Sequence, residues 1–222
     1  MHTLTKRSAG VLLFAGLMTF VLSARAEEIL LDFDHSPANT APADFSVALT
    51  GRGGPVAWVI KDDPTAPSGS NVLAQTSADK TNDRFPLCIY EKLSAADVEV
   101  AVTFKAVAGK VDQAAGLVAR FQNQNNYYIT RANALEDNVR LYKVVHGKRM
   151  RFAGANVRVA SGTWHSLKLV VQDTHFQVFF DEKLVFEAND TTFKDAGKVG
   201  LWTKADSVTY FDNLSIRSED TR

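Results

Sequence analysis

Two carboxylates at alternate positions of one extended strand share a face. At roughly 5 Å apart, such a pair can serve a retaining glycosidase as acid and nucleophile. Asp32 and Asp34 stand two apart in this sequence, as do Asp97 and Glu99. Asp97 precedes a predicted strand, so its pair reads as a solvated strand entry. Glu187 has no acid two residues away, and the adjacent Glu136 and Asp137 point in opposite directions on an extended chain. His35, His146, His165 and His175 show no metal-ligand spacing with another His, Cys or carboxylate on a shared face. His146 belongs to a turn with Gly147. His165 opens a strand in phase with Leu167 and Leu169 and reads as a hydrogen-bonded core-edge residue. Cys88 is the only cysteine, which excludes an internal disulfide; with no base-like motif beside it, it reads as a small buried core residue. No catalytic residue and no metal ligand is assigned from these groups.

A second chemistry is non-covalent. Flat aromatic rings pack on the apolar faces of sugars, while Arg and Asn donate to hydroxyls and Glu accepts from them. The apolar phases of four segments gather such residues on one face. In 116–122, burying Leu117, Ala119 and Phe121 turns Arg120 outward. In 127–132, burying Ile129 turns out Tyr128 and Thr130. In 139–145, burying Val139 and Leu141 exposes Arg140 and Tyr142. In 198–203, burying Val199 and Leu201 turns out Trp202. The predicted binding set is therefore Arg120, Tyr128, Arg140, Tyr142 and Trp202, with Arg131, Asn133, Glu136 and Asn138 on the adjoining loop. The run Lys148-Arg149-x-Arg151 beside a hairpin turn reads as a solvated rim.

The elements that must position these residues are strands. Val98, Val100, Val102 and Phe104 alternate with Glu99, Thr103 and Lys105, the period of a strand with one face buried. Similar segments recur at 116–122, 127–132, 139–145, 164–171, 175–180, 183–187, 198–203 and 208–217, separated by turn residues such as His146-Gly147 and Asp181-Glu182. Earlier strands are predicted at 29–33, 45–49, 56–61 and 85–90, with 51–71 mostly loop around its Gly and Pro residues. Only 190–195 suits a helical turn. Evenly spaced strands with almost no helix predict an all-β, two-sheet antiparallel β-sandwich (jelly roll). No linker or repeat divides the chain.

The segment 116–216 holds a recognisable series: Gly-Leu-Val-Ala-Arg-Phe at 116–121, Asn-Tyr-Tyr at 126–128, Arg-Leu-Tyr-Lys-Val at 140–144, Gly-Thr-Trp-His at 162–165, Gly-Lys-Val-Gly-Leu-Trp at 197–202 and Phe-Asp-Asn-Leu at 211–214. It resembles the laminin-G-like and 3-keto-disaccharide-hydrolase-like bacterial modules of the concanavalin A-like lectin/glucanase superfamily. The resemblance implies a carbohydrate ligand, bound on the concave face of one sheet. It also implies three functions that the residues leave open: glycan recognition, first; a glycoside hydrolase of the 3-keto-disaccharide type, second; and a laminin-G-like adhesion or protein-binding module, third. The glucanase pattern Glu-x-Asp-x-x-Glu is missing. Related sandwiches pair an acid near the last strand with one near the first. Here Asp212, in phase with Tyr210, Leu214 and Ile216, would pair with Asp32 or Asp34 and hold Ca²⁺ through oxygen ligands. A local bulge or hydrogen bonds to backbone amides would serve Asp212 as well.

The N-terminus supplies the compartment. Lys6 and Arg7, an apolar run from Ala9 to Leu22, and Ala24-Arg25-Ala26 have the three parts of a secretory signal. The run is short of the roughly 20 apolar residues of a membrane span. Residues 1–26 are thus expected to be a cleaved signal peptide, and 27–222 one exported, periplasmic or secreted domain without membrane insertion. Cleavage removes Lys6, Arg7 and Arg25 and no acid, so 25 basic and 25 acidic residues become 22 and 25. A mildly acidic chain is unsuited to nucleic acid.

Overall fold

The computed structural model describes residues 26–219, so the predicted signal peptide lies outside the described residues except for Ala26. Fifteen strands are formed among them: β1 (Ala26–Leu31), β2 (Phe45–Gly51), β3 (Trp58–Asp62), β4 (Asn71–Gln75), β5 (Arg84–Tyr90), β6 (Val98–Ala108), β7 (Ala114–Asn123), β8 (Asn126–Asn133), β9 (Asn138–Val145), β10 (Lys148–Asn156), β11 (Trp164–Gln172), β12 (His175–Phe180), β13 (Lys183–Asn189), β14 (Lys198–Trp202) and β15 (Val208–Glu219). They make two antiparallel sheets. The first runs β13-β12-β11-β6-β15-β4-β3, with β1 beside β15; the second runs β10-β9-β8-β7-β14-β5-β2. The sandwich expected from the sequence is the one observed.

Alternation builds the core. Val98, Val100, Val102, Phe104 and Ala106 of β6 turn inward with Leu167, Leu169 and Val171 of β11 and Phe176, Val178 and Phe180 of β12. Opposite them stand Leu117, Ala119, Tyr128, Val139, Leu141, Val199 and Leu201 of the second sheet. Cys88 is buried there, and desolvation pushes its thiol well above the usual range. The sequence missed two strands. β4 lies in the loop-rich early region, and β10 opens with Lys-Arg-Met-Arg, a pattern without an apolar period.

Residues 190–195 form no helical turn. Their amides tie them to the second sheet as an irregular loop: Thr192 N–H donates to Asp190 Oδ1 (2.8 Å) and Phe193 N–H to the Tyr128 hydroxyl (3.0 Å). Asp212 departs from its expected phase as well. Asn213 takes φ 51° and the β15–β6 register shifts between Asp212 and Ser215, so Phe211 enters the core before this bulge and Leu214 and Ile216 after it. The loop from Asp63 to Ser70 closes over Asp212. Its carboxylate accepts from Ser68 N–H (3.0 Å), Ser68 Oγ (3.1 Å) and Asn213 N–H (2.7 Å). Burial holds its pKa above the ordinary value, and nearby Asp34 adds to the rise.

Candidate functional site

The second sheet is buried on both faces, which a solvated sandwich sheet need not be. Turned away from the first sheet are Phe85, Leu87 and Ile89 of β5, Val118 of β7, Tyr127 and Ile129 of β8, Tyr142 and Val144 of β9, and Trp202 of β14. Phe85 and Trp202 lie nearly parallel, with ring centroids 5.5 Å apart and planes 14° from each other. Gly116 stands opposite Trp202 on the neighbouring strand. A Cβ there would come within 2.8 Å of the Thr130 carbonyl and 3.2 Å of the indole, so a side chain would lift the ring off the sheet.

Arg149 of β10 lies across this aromatic floor. Its guanidinium carbon is 4.5 Å from the Tyr142 ring centre, 4.7 Å from Phe85 and 5.5 Å from Trp202. Its Nη1 is buried and has no hydrogen-bond partner. Burial draws its pKa down, and the nearby Arg131 charge adds to the fall, but an arginine remains charged at neutral pH. Arg131 sits on the same floor, its guanidinium 5.8 Å from the Tyr142 ring centre and its Nε also buried and unpartnered. The Trp202 indole N–H lies beside the Tyr127 hydroxyl and completes no hydrogen bond. Buried donors are almost always satisfied in folded proteins, so three unpartnered donors gathered on one face are unusual.

The β8–β9 hairpin forms the polar wall. Arg131 donates to Asn138 Oδ1 (2.9 Å), Glu136 Oε2 (2.7 Å) and the Tyr142 hydroxyl (3.2 Å). Asn133 Oδ1 accepts from the amides of Leu135 and Glu136, while its Nδ2 donates to Asp112 (2.7 Å), which also holds Lys204 (2.5 Å). Burial raises the Glu136 pKa, but the bonds from Arg131 and Asn138 outweigh it, and the net shift is downward.

A model of the 3-keto-alpha-glucoside-1,2-lyase-like domain matches residues 49–217. The chain belongs to that family. No curated protein matches it significantly in sequence. Solved structures share the fold of this lyase-like domain at low identity. One is the carbohydrate binding module CBM66 from Bacillus subtilis (20% identity, 78% of this chain and 95% of that one covered, TM-score 0.60). Another is the cellulose induced protein Cip1 (12%, 85% and 96%, TM-score 0.63), and a third is the Emp47p carbohydrate recognition domain (11%, 85% and 94%, TM-score 0.57).

Within this lyase-like domain, Tyr142 and Trp202 turn to the side expected of them but are not exposed there: Trp202 is fully buried and Tyr142 nearly so, beneath Arg149. Arg140 lies beside Arg131 across the β8–β9 pairing. Arg131, Asn133, Glu136 and Asn138 form the adjoining wall. Arg120 and Tyr128 do not reach the face. Arg120 takes φ 48° in a bulge where Lys198 and Gly200 of β14 oppose Phe121 and Val118 of β7. Gly197 permits the bulge, since a Cβ there would lie 2.5 Å from the Arg120 carbonyl carbon. The guanidinium then points between the sheets and donates to the carbonyls of Ala96 (2.7 Å), Phe193 (2.7 Å) and Asp173 (2.6 Å), while Phe121 moves to the aromatic face. Tyr128 is fully buried in the core against Phe176 and Phe193, and its neighbour Tyr127 takes the outer position. The sequence reading missed Phe85, Tyr127 and Arg149. The alternate arginines of Lys148-Arg149-x-Arg151 were the available signal, read there as a rim.

The remaining candidates fall away from this face. Asp97 receives the Asp173 amide (2.8 Å), and Glu99 meets Lys168 and Arg217. His165 pairs with Asp181 (2.8 Å) at the core edge, as expected. Among the described residues, no group of three or more His, Cys, Asp or Glu could hold a metal ion. None of their helices is long and apolar enough to cross a membrane.

Proposed function

We propose that this domain recognises a glycan on the outer face of its second sheet. The observation behind this is the Phe85–Trp202–Tyr142 floor with Arg131 Nε and Arg149 Nη1 unpaired above it. With Arg149 displaced, the aromatic faces hold the C–H side of a pyranose and the released donors meet ring and hydroxyl oxygens, which gives apolar contact with a few directed polar groups. Three structural neighbours named for carbohydrate or cellulose, CBM66, the Emp47p domain and Cip1, share this sandwich, which agrees with the reading.

Recognition is favoured over lyase or hydrolase chemistry by the state of the carboxylates near the floor. A general base works best with a pKa raised toward neutrality. Glu136 is shifted the other way and committed to Arg131, and Asp112 is committed to Lys204 and Asn133. A glycan array on residues 27–222, run beside an assay for released sugar, tests the proposal. Binding without turnover is expected, and Tyr142→Ala should weaken it by one to a few kcal/mol, about the range of an anchor residue. Failure to retain any glycan, or unaltered affinity in Tyr142→Ala, would refute the assignment.

A further inference from the structure

The charges around the aromatic floor do not balance. Arg131 is neutralised by Glu136 and Lys204 by Asp112. Arg149 is left with no carboxylate of its own. Farther out on the same face, Arg140 pairs across the strands with Arg131, and Arg151 with Tyr142. Arg140 bonds only neutral oxygens, those of Asn156 (2.6 Å) and Val139 (3.3 Å). A surface hollow beside it is lined by Arg140, Arg151 and residues 152–156, two cations and no acid. A partly buried guanidinium without a counter-charge, one of its nitrogens fully desolvated, is unfavourable, and an apolar residue such as Met would pack the same rings. The excess positive charge is therefore explained by something the ligand brings.

We infer that the glycan is acidic, a sugar chain bearing uronate carboxylates, and that Arg149 is the group that reads the charge. This rests on the glycan-binding proposal above and adds the substrate class. In the free protein, Arg149 lies where a sugar ring would stack, and its open Nη1 is buried against the aromatic rings. A charge-assisted hydrogen bond to a carboxylate is stronger than a cation–π contact, so an arriving carboxylate draws the guanidinium off the floor. The movement uncovers the Phe85–Trp202 pair for the sugar face in the same step. Arg140 and Arg151 then meet the carboxylate of a neighbouring residue in the chain.

Titration of the protein with a hexuronate disaccharide, its carboxyl-reduced counterpart and a sulfated neutral disaccharide tests this. Tryptophan fluorescence follows each titration, with Trp202→Phe identifying the indole that responds. At least tenfold tighter binding of the uronate than of the reduced sugar is expected, with a Trp202 signal. Arg149→Met should abolish the preference while its melting midpoint holds or rises, because a partly buried uncompensated charge has been removed. Arg151→Ala, at an exposed position, should lower the preference severalfold without touching the fold. Equal binding of uronate and reduced sugar would overturn the charge inference and leave glycan recognition standing. No binding of any sugar would remove both. Preference for the sulfated sugar would overturn the carboxylate, and an Arg149→Met protein that kept the preference would overturn the role of Arg149.

Discussion

Asp190 ties the β13–β14 loop to the second sheet, and its replacement by Asn should reveal that tie through pH. The carboxylate accepts from the Tyr128 hydroxyl (2.7 Å), Lys143 Nζ (2.6 Å) and the Thr192 amide (2.8 Å), and its side chain is 10% exposed. Burial alone would raise its pKa, but Lys143, Thr192 and Tyr128 favour the ionised form more strongly, and the result falls from 3.8 to about 2. A shift of nearly two units corresponds to about 2–3 kcal/mol. Because the folded-state pKa is the lower one, this stabilisation is present above the unfolded value of 3.8 and is lost as pH falls through about 2. Urea unfolding of parent and Asp190→Asn should therefore differ by about 2–3 kcal/mol at pH 7, with the gap closing toward pH 2. An equal gap at both pH values would refute the electrostatic account and leave only a packing defect.

Trp202→Ala removes an indole that is fully buried, so it should lower unfolding free energy by about 3–5 kcal/mol as well as weaken glycan binding; an unchanged melting midpoint would mean the ring lies open to solvent. With Asp212 already bonded by Ser68 and Asn213, melting midpoints in calcium and in chelator are expected to coincide; a chelator-dependent fall would indicate a cation shared with Asp34. We propose that residues 1–26 are removed on export, and mass analysis of the exported protein should find Glu27 as the first residue; retention of Met1 would refute this.

The sheet faces of β6, β11 and β12 were legible in the sequence because each has one dominant apolar phase; in β9 and β14 the aliphatic phase (Val139, Leu141; Val199, Leu201) marked the core face. The direction of Tyr142 and Trp202 followed from that phase, but not their burial beneath Arg149. β8 defeated the same reasoning. Tyr127, Ile129 and Tyr128, Ala132 are apolar sets of both phases, and both are buried, one in the core and one under Arg149. Period two reports which residues alternate, and cannot say which of two buried faces is which. Arg120 failed for a different reason. This bulge places an extra residue with a left-handed φ in β7, and Arg is not a residue that announces either. Arg149 was misread because solvent and an aromatic floor both accept a guanidinium, and only the missing partner of its Nη1 separates the two.

The place of β15 in the first sheet has a consequence for folding. It is the last strand in the described chain, yet it lies near the middle of its sheet, paired with β6 along one edge and with β4 and then β1 along the other. During synthesis β1 has no other strand to pair with and must wait for it, while β6 and β4 can pair with β11 and β3 but each keeps one open edge until it arrives. Closing β1 onto β15 joins residues almost two hundred positions apart, a contact that is entropically late and slow. A chain built in this way stays open until its final strand emerges. Trimming that strand would then remove the seam of the whole sheet, leaving β4 and β1 with unpaired edges suited to aggregation.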